Sequence, residues 1–269
     1  MAFPHTFFDT DLFFHRISND PKVVAAAGDE FSKTRPSAIS AFTILEFKGA
    51  YVQKLGLLRE KVSRSDSLRE ASARTENSGG RGVKLMLALL LKYLDVGGFD
   101  IRPWEEARRQ LLVHIDAEIY ASYRSIASSV DKVFDDFQCS RSQEPPLFSN
   151  TKWKLQISNC TSDAIPCHVQ QFLKQYEAEL ISLIQAIDSL TDDESSRELK
   201  NIKDIAFTII HSSFYCSSKT CRKIGDLLIG LQSKVGYELL TSNFREHDPM
   251  HFPLKYRLRI FPLAALRIK

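Results

Sequence analysis

The stretch Phe7-Phe8-Asp9-Thr10-Asp11-Leu12-Phe13-Phe14 decides the fold. Two carboxylates, one residue apart, stand between two pairs of aromatic residues. The residues before Asp9 read as a short buried strand over 3–8, and 10–17 as a helix that Asn19-Asp20-Pro21 stops. Charged groups are seldom enclosed by apolar side chains unless they are paired or hold a cation. An acidic pair at the end of an apolar strand therefore marks either a helix start or a metal site. Asp and Thr are ordinary caps and turn residues, so this stretch alone leaves both readings open.

Outward from it the grammar continues. A second helical pattern covers 22–31, and Ser37-Ala38-Ile39-Ser40 is a small strand. Ser40 can cap a helix that begins near Ala41 and carries Ile44, Leu45, Tyr51 and Val52, with Glu46 at its second turn. Strand, helix, helix, strand, helix opens a parallel α/β sheet. Near the other end Lys223-Ile224-Gly225-Asp226 leads into an apolar helix over 227–231. Residues 237–241 then form a strand, Ser242-Asn243 a polar turn, and 256–260 an edge strand.

The middle reads differently. Residues 59–82 are rich in Arg, Ser, Glu and Gly, end in Ser78-Gly79-Gly80-Arg81-Gly82, and predict a flexible basic linker. Four helical patterns follow, over 83–94, 103–137, 166–190 and 195–214, with little strand signal. The expected organisation is an α/β core from residues 1–58 and 205–269, the linker 59–82, and a helical insertion over 83–204.

Bulk composition sets limits. With 43% hydrophobic residues among 269, there is ample material for a core. A formal charge of +3 neither diagnoses nor opposes nucleic-acid binding. The basic residues are uneven: 53–84 carry eight Lys or Arg against four Asp or Glu, and 245–269 carry six against two. Such runs are either solvated faces or phosphate contacts. The longest apolar block, Leu85 to Leu91 between Lys84 and Lys92, falls far short of the ~20 residues of a membrane helix. The start of the chain lacks a basic leader, and five scattered cysteines suit a reducing compartment. The expectation is a cytoplasmic protein with no membrane partner.

Three separated carboxylates share one grammar. Asp9 follows a strand, Glu46 lies in a helix after a strand, and Asp226 opens a helix. In parallel α/β sheets the ligand site lies beyond the carboxyl ends of the strands. Carboxylates gathered there cannot all ionise cheaply without a cation. Oxygen ligands without a neighbouring His or Cys favour Mg²⁺ or Mn²⁺, and the chemistry implied is metal-assisted phosphodiester hydrolysis.

Four segments carry a family resemblance. Phe8-Asp9-Thr10-Asp11-Leu12 resembles the opening of the PIN-domain nucleases, where an apolar strand ends in Asp-Thr-Asn. Ser40-Ala41-Phe42-Thr43-Ile44-Leu45-Glu46 is similar to their Ser-x-x-Thr-x-x-Glu motif, and Gly225-Asp226-Leu227-Leu228-Ile229 to their Ala-Asp-Ala-Leu-Ile segment. Leu240-Thr241-Ser242-Asn243-Phe244-Arg245-Glu246 is similar to the closing Thr-x-Asn-x-x-Asp stretch.

The resemblance covers about 3–55 and 205–262 and implies a PIN-like three-layer α/β/α core with a mainly helical inserted lobe. It implies Asp9, Glu46, Asp226 and Asn243 as catalytic residues, and Asp9, Glu46, Asp226, Asp11 and Glu246 as metal donors. Asp11 departs from the family's Asn. Thr10 and Thr43 would position backbone or water. For a nuclease, Arg64, Arg69, Arg74, Arg81, Lys84 and Arg245 become the expected nucleic-acid contacts, with RNA or single strands ahead of duplex DNA. The family also allows a toxin or defence effector with an inhibitory or regulatory partner protein, and a homo-oligomer. The competing expectation is a PIN-like interaction protein, weak in catalysis, whose helical insert binds a protein partner.

Other groupings carry less. Cys160, Cys167, His168, Cys216 and Cys221 have loose spacings for zinc and read more simply as buried thiols. His114 and His211 fall within apolar helical patterns, as core or boundary residues. Trp153 between Lys152 and Lys154 either covers the core or stacks a base. Ser217-Ser218-Lys219-Thr220 lacks the glycines of a phosphate loop.

Overall fold

The computed structural model describes residues 5–18, 20–33, 36–77, 83–97, 103–137, 168–190, 197–211 and 224–263. They fall into two compact units. One holds the described residues up to Glu46 and from Ala127 onward; the other is Phe47–Ile126.

The first unit is built on a five-stranded, wholly parallel sheet of order β3-β2-β1-β4-β5. The strands are β1 (His5–Phe8), β2 (Ser37–Ser40), β3 (Lys132–Phe134), β4 (Tyr237–Thr241) and β5 (Arg257–Ile260). Phe7 pairs with Ala38 on one side and Leu239 on the other, which makes β1 the central strand. Alternation of side chains along β1 sends its two phenylalanines to opposite faces. Phe8 stacks on Phe31 of α2 (Pro21–Lys33), ring centroids 4.0 Å apart, and α1 (Thr10–Arg16) adds Phe13 at 4.9 Å. Phe7 belongs instead to a core shared with Phe172, Leu180, Leu183, Ile202, Ile209 and Leu228. Helices therefore cover both faces of the sheet.

That second layer corrects the expected division of the chain. Four helices face Phe7: α8 (His168–Lys174), α9 (Glu177–Asp188), α10 (Arg197–His211) and α11 (Gly225–Ser233). Three of them begin inside the expected insertion, yet their apolar faces complete the core of the sheet. The chain also supplies β3 from that region, where the helical pattern had been expected to run on to residue 137. β3 is held by pairing of Ile39 with Val133 and by Asp131, whose carboxylate accepts from the Ser37 amide at 2.8 Å. Among the described residues of 83–204, β3 is the one strand and the rest of the regular structure is helical.

The second unit is helical: a π-helical turn Lys48–Val52, α4 (Gln53–Ser63), α5 (Leu68–Glu76), α6 (Val83–Gly97) and most of α7 (Trp104–Ser128). Leu55, Leu58, Ala71, Met86, Leu90, Leu111 and Ile115 are buried in it. Arg59 makes a two-pronged ion pair with Asp116, 2.5 and 3.0 Å, and Trp104 donates to the Ser65 carbonyl at 2.8 Å. The expected flexible linker is thus a correction as far as residue 77, because 59–77 is helix, turn and helix. The reason is local: the Ser67 hydroxyl accepts from the Glu70 amide at 3.1 Å, and Glu70 accepts from Asp66 N at 2.8 Å, a cap at both ends of one turn. Among the described residues no helix is long and apolar enough to cross a membrane.

Candidate functional site

The strand order reverses at β1: β2 lies to one side and β4 to the other. Ligands of open parallel sheets bind outside the strand ends at such a point. There the chain puts Asp9, directly after β1, and Thr241-Ser242-Asn243, at the end of β4.

Asp9 is buried and caps α1, accepting from the Thr10 amide at 2.6 Å. Its other oxygen accepts from the Thr241 hydroxyl at 2.6 Å. Thr241 Oγ1 in turn accepts from the Asn243 amide at 2.8 Å, so the Thr-x-Asn turn aims one proton at Asp9. Thr10 uses its hydroxyl differently, donating to Glu46 Oε2 at 2.5 Å. Glu46 is placed by α3 (Ala41–Phe47), whose start is capped by the Ser40 hydroxyl bonded to Phe42 N at 2.9 Å. Asp226 lies in the first turn of α11 and keeps 31% of its side chain exposed, against 4% for Asp9. The site therefore opens to solvent on the Asp226 side.

His247 completes the group, and the sequence reading missed it. It sits on α12 (Phe244–Leu254), fully buried, with Nε2 3.4 Å from Asp9 Oδ2 and 3.5 Å from Asp226 Oδ1. Donor atoms of Asp9, Asp226 and His247 all lie within 4.8 Å of one another. The sequence reading assigned no element to 244–254, where Pro249 and Pro253 weaken the helical signal, whereas His247, Met250, Pro253 and Leu254 form one buried helical face. That spacing was the available signal.

Electrostatics follow from burial. Burial opposes ionisation of Asp9, but His247 and the Thr241 and Thr10 donors outweigh it and hold its pKa below the usual carboxylate range. Burial pushes Glu46 up to about 8, reinforced by the charge of Asp226. Burial also pushes Asp11 up to about 7, with the charge of Asp9 adding to it. Burial favours a neutral His247, yet Tyr256 and the carboxylates of Asp226 and Asp9 outweigh it and raise its pKa well above the ordinary value.

The other expected residues divide. Asp11 turns to Ser242, accepting from its amide at 2.6 Å and from its hydroxyl, while its Oδ1 is buried without a hydrogen-bond partner. Asn243 precedes α12, but its side chain does not cap the helix; its role here is the amide bonded to Thr241. Glu246 follows in the first turn of α12. Thr43 is buried, and its hydroxyl has no hydrogen-bond partner. Arg245 is exposed beside Phe244, itself 49% exposed.

Arg64, Arg69 and Arg74 are exposed in the second unit, with Arg64 paired to Glu60 at 2.9 Å and Arg74 to Glu70 at 2.7 Å. Lys84 lies in α6. Arg81, Trp153 with its flanking lysines, Cys160, Cys167 and the 216–221 segment lie outside the described residues. His168, His114 and His211 are exposed, so the latter two are not core residues.

Compared with family models, with curated proteins and with solved structures, the chain finds no match.

Proposed function

We propose that this protein is a divalent-metal-dependent nuclease with a PIN-like core, hydrolysing phosphodiester bonds of RNA or other single-stranded nucleic acid. One observation carries the reading: donor atoms of Asp9, Asp226 and His247 converge at the strand ends where the sheet order reverses. The residues fit a cation. His247 Nε2 is buried without a hydrogen-bond partner and faces two carboxylates, so the expected all-oxygen set gains one nitrogen, and two carboxylates with one imidazole suit a divalent cation. Asp9, Asp226 and His247 would hold the ion. Bound there, it supplies positive charge against the phosphodiester oxygens.

The chain's own groups supply the rest. Thr241 and Thr10 fix Asp9 and Glu46, so neither carboxyl rotates freely. Burial raises Glu46 first and the charge of Asp226 adds to it, so a cation beside Asp226 would remove only the second of these causes. Arg245 offers a cation to phosphate next to the exposed ring of Phe244, a pairing that suits unstacked bases. The basic run 53–84 is the second source of phosphate contacts.

A second reading has its own observation. His247 between Asp9 and Asp226 can itself balance their charge, as in a structural ion-pair knot. A PIN-like interaction protein with little catalysis follows from that. Cleavage of mixed RNA and DNA substrates with Mn²⁺, Mg²⁺ or a chelator separates the two.

A further inference from the structure

We propose that the site takes a first-row transition ion in preference to Mg²⁺, and that His247 Nε2 is the ligand that selects it. The inference deepens the metal-site part of the proposed function and rests on it, but not on cleavage of nucleic acid.

Three observations carry it. The first is hydrogen-bond arithmetic at Tyr256. Its hydroxyl has one proton and donates it to the His247 carbonyl at 3.1 Å. The same hydroxyl lies 3.0 Å from His247 Nδ1, so there it accepts, and Nδ1 carries the hydrogen. Nε2 is thereby the nitrogen turned toward Asp9 and Asp226. The second is that this Nε2, on a residue with no exposed surface, makes no hydrogen bond but stands 3.4 Å from Asp9 Oδ2 and 3.5 Å from Asp226 Oδ1. The third is the support behind Tyr256. A Cβ on Gly230 would come within 2.7 Å of the Tyr256 ring, so α11 packs its backbone directly against the residue that orients the imidazole.

An imidazole held by an outer hydrogen bond is how proteins fix a metal ligand. One nitrogen among carboxylate oxygens matters for selection. Mg²⁺ is hard, prefers oxygen and keeps its waters; along the first row, affinity for a site that includes nitrogen rises upward from Mn²⁺, the weakest binder of that series.

The test uses the full chain with Mn²⁺ alone, no nucleic acid present. Pulsed electron paramagnetic resonance of bound Mn²⁺ should show coupling to one imidazole nitrogen. That coupling should disappear in His247→Gln, which offers an amide oxygen in place of Nε2, and persist in His15→Gln. Mn²⁺ affinity should fall about tenfold or more in His247→Gln, with Mg²⁺ affinity within about threefold of wild type. Mn²⁺ bound without nitrogen coupling in the wild type overturns the proposal, whether or not the variant folds. Absence of Mn²⁺ binding overturns it together with the metal site. Nitrogen-coupled Mn²⁺ in a protein that cleaves nothing would support the inference while sinking the nuclease reading.

Discussion

Tyr256 and His247 lock each other: the Tyr256 hydroxyl lies 3.0 Å from His247 Nδ1 and donates to the His247 carbonyl at 3.1 Å. The contact is possible because α12 ends at Lys255 in the left-handed region, φ 59°, which turns the chain back so that Tyr256 N bonds the His251 carbonyl at 3.1 Å. Tyr256→Phe keeps the ring and removes both bonds. It should cost about 1–3 kcal/mol, since a buried nitrogen loses its partner. Metal affinity should fall about tenfold, the usual scale for an outer support. Thermal denaturation and Mn²⁺ titration of the variant check the two halves separately.

Gly225 reports on Glu46. A Cβ there would lie 2.5 Å from Glu46 Oε1 and 2.6 Å from Phe42 Cε1. Gly225→Ala should therefore push Glu46 off the Thr10 hydroxyl and lower activity, although no site side chain is removed. Overpacking of this kind costs about 1–3 kcal/mol, more than the gain from helix propensity. An alanine variant with wild-type stability and cleavage would show that Glu46 has room to spare.

The pH dependence of stability follows from the signs of the shifts. Glu46, raised to about 8, and Asp11, raised to about 7, hold protons in the folded state that the unfolded chain releases near 4. Their contribution is complete below about pH 4 and is lost as pH rises through 7 to 8. His247, also raised, loses its contribution in the same direction. Asp9, held low, contributes above about pH 4 and loses that as pH falls. The metal-free protein should be most stable on the acid side of neutrality. Divalent cations favour the deprotonated carboxyls, so the Mn²⁺-induced rise in Tm should grow between pH 6 and pH 8.5, by about the same sign argument. A rise that shrinks over that interval contradicts the burial of these groups.

How legible this was in the sequence differs from residue to residue. β2 and β4 could be read to their ends, and Asp9 and Asp226 stand together at His247, with Glu46 outside that trio; each of the three carboxylates follows a local rule: an apolar run, a cap, an acidic first turn. β3 was hidden because three residues, Lys132-Val133-Phe134, carry no alternation, and their pairing depends on Ser37 and Asp131 far apart in the chain. His247 was hidden for another reason. Pro249 and Pro253 argue against a helix, and only the packing of Met250 and Leu254 overrides them. The polar run 59–77 looked unstructured by composition, yet Ser67 and Glu70 at capping-box spacing already mark a helix start.

Charge outside the site makes a separate prediction. Replacing Arg64, Arg69 and Arg74 together with Ala should weaken binding of single-stranded nucleic acid. It should also flatten the salt dependence by about 2 in slope, if each arginine neutralises one phosphate. Two of the three already pair with glutamates one turn away, so an unchanged titration would mean that the run is a solvated face.

The most direct measurement is metal-dependent cleavage by wild type and Asp9→Asn, on mixed RNA and DNA substrates with Mn²⁺, Mg²⁺ or chelator. Loss of an outer support alone costs about 10–100-fold, so losing the Asp9 carboxylate should cost at least about a hundredfold. Binding should be retained, because removing a negative charge cannot increase repulsion of phosphate. The account predicts cleavage of single strands that needs the ion and vanishes in Asp9→Asn. Cleavage that survives chelation, equal cleavage by Asp9→Asn, or a wild-type protein that cleaves nothing with either ion would contradict it.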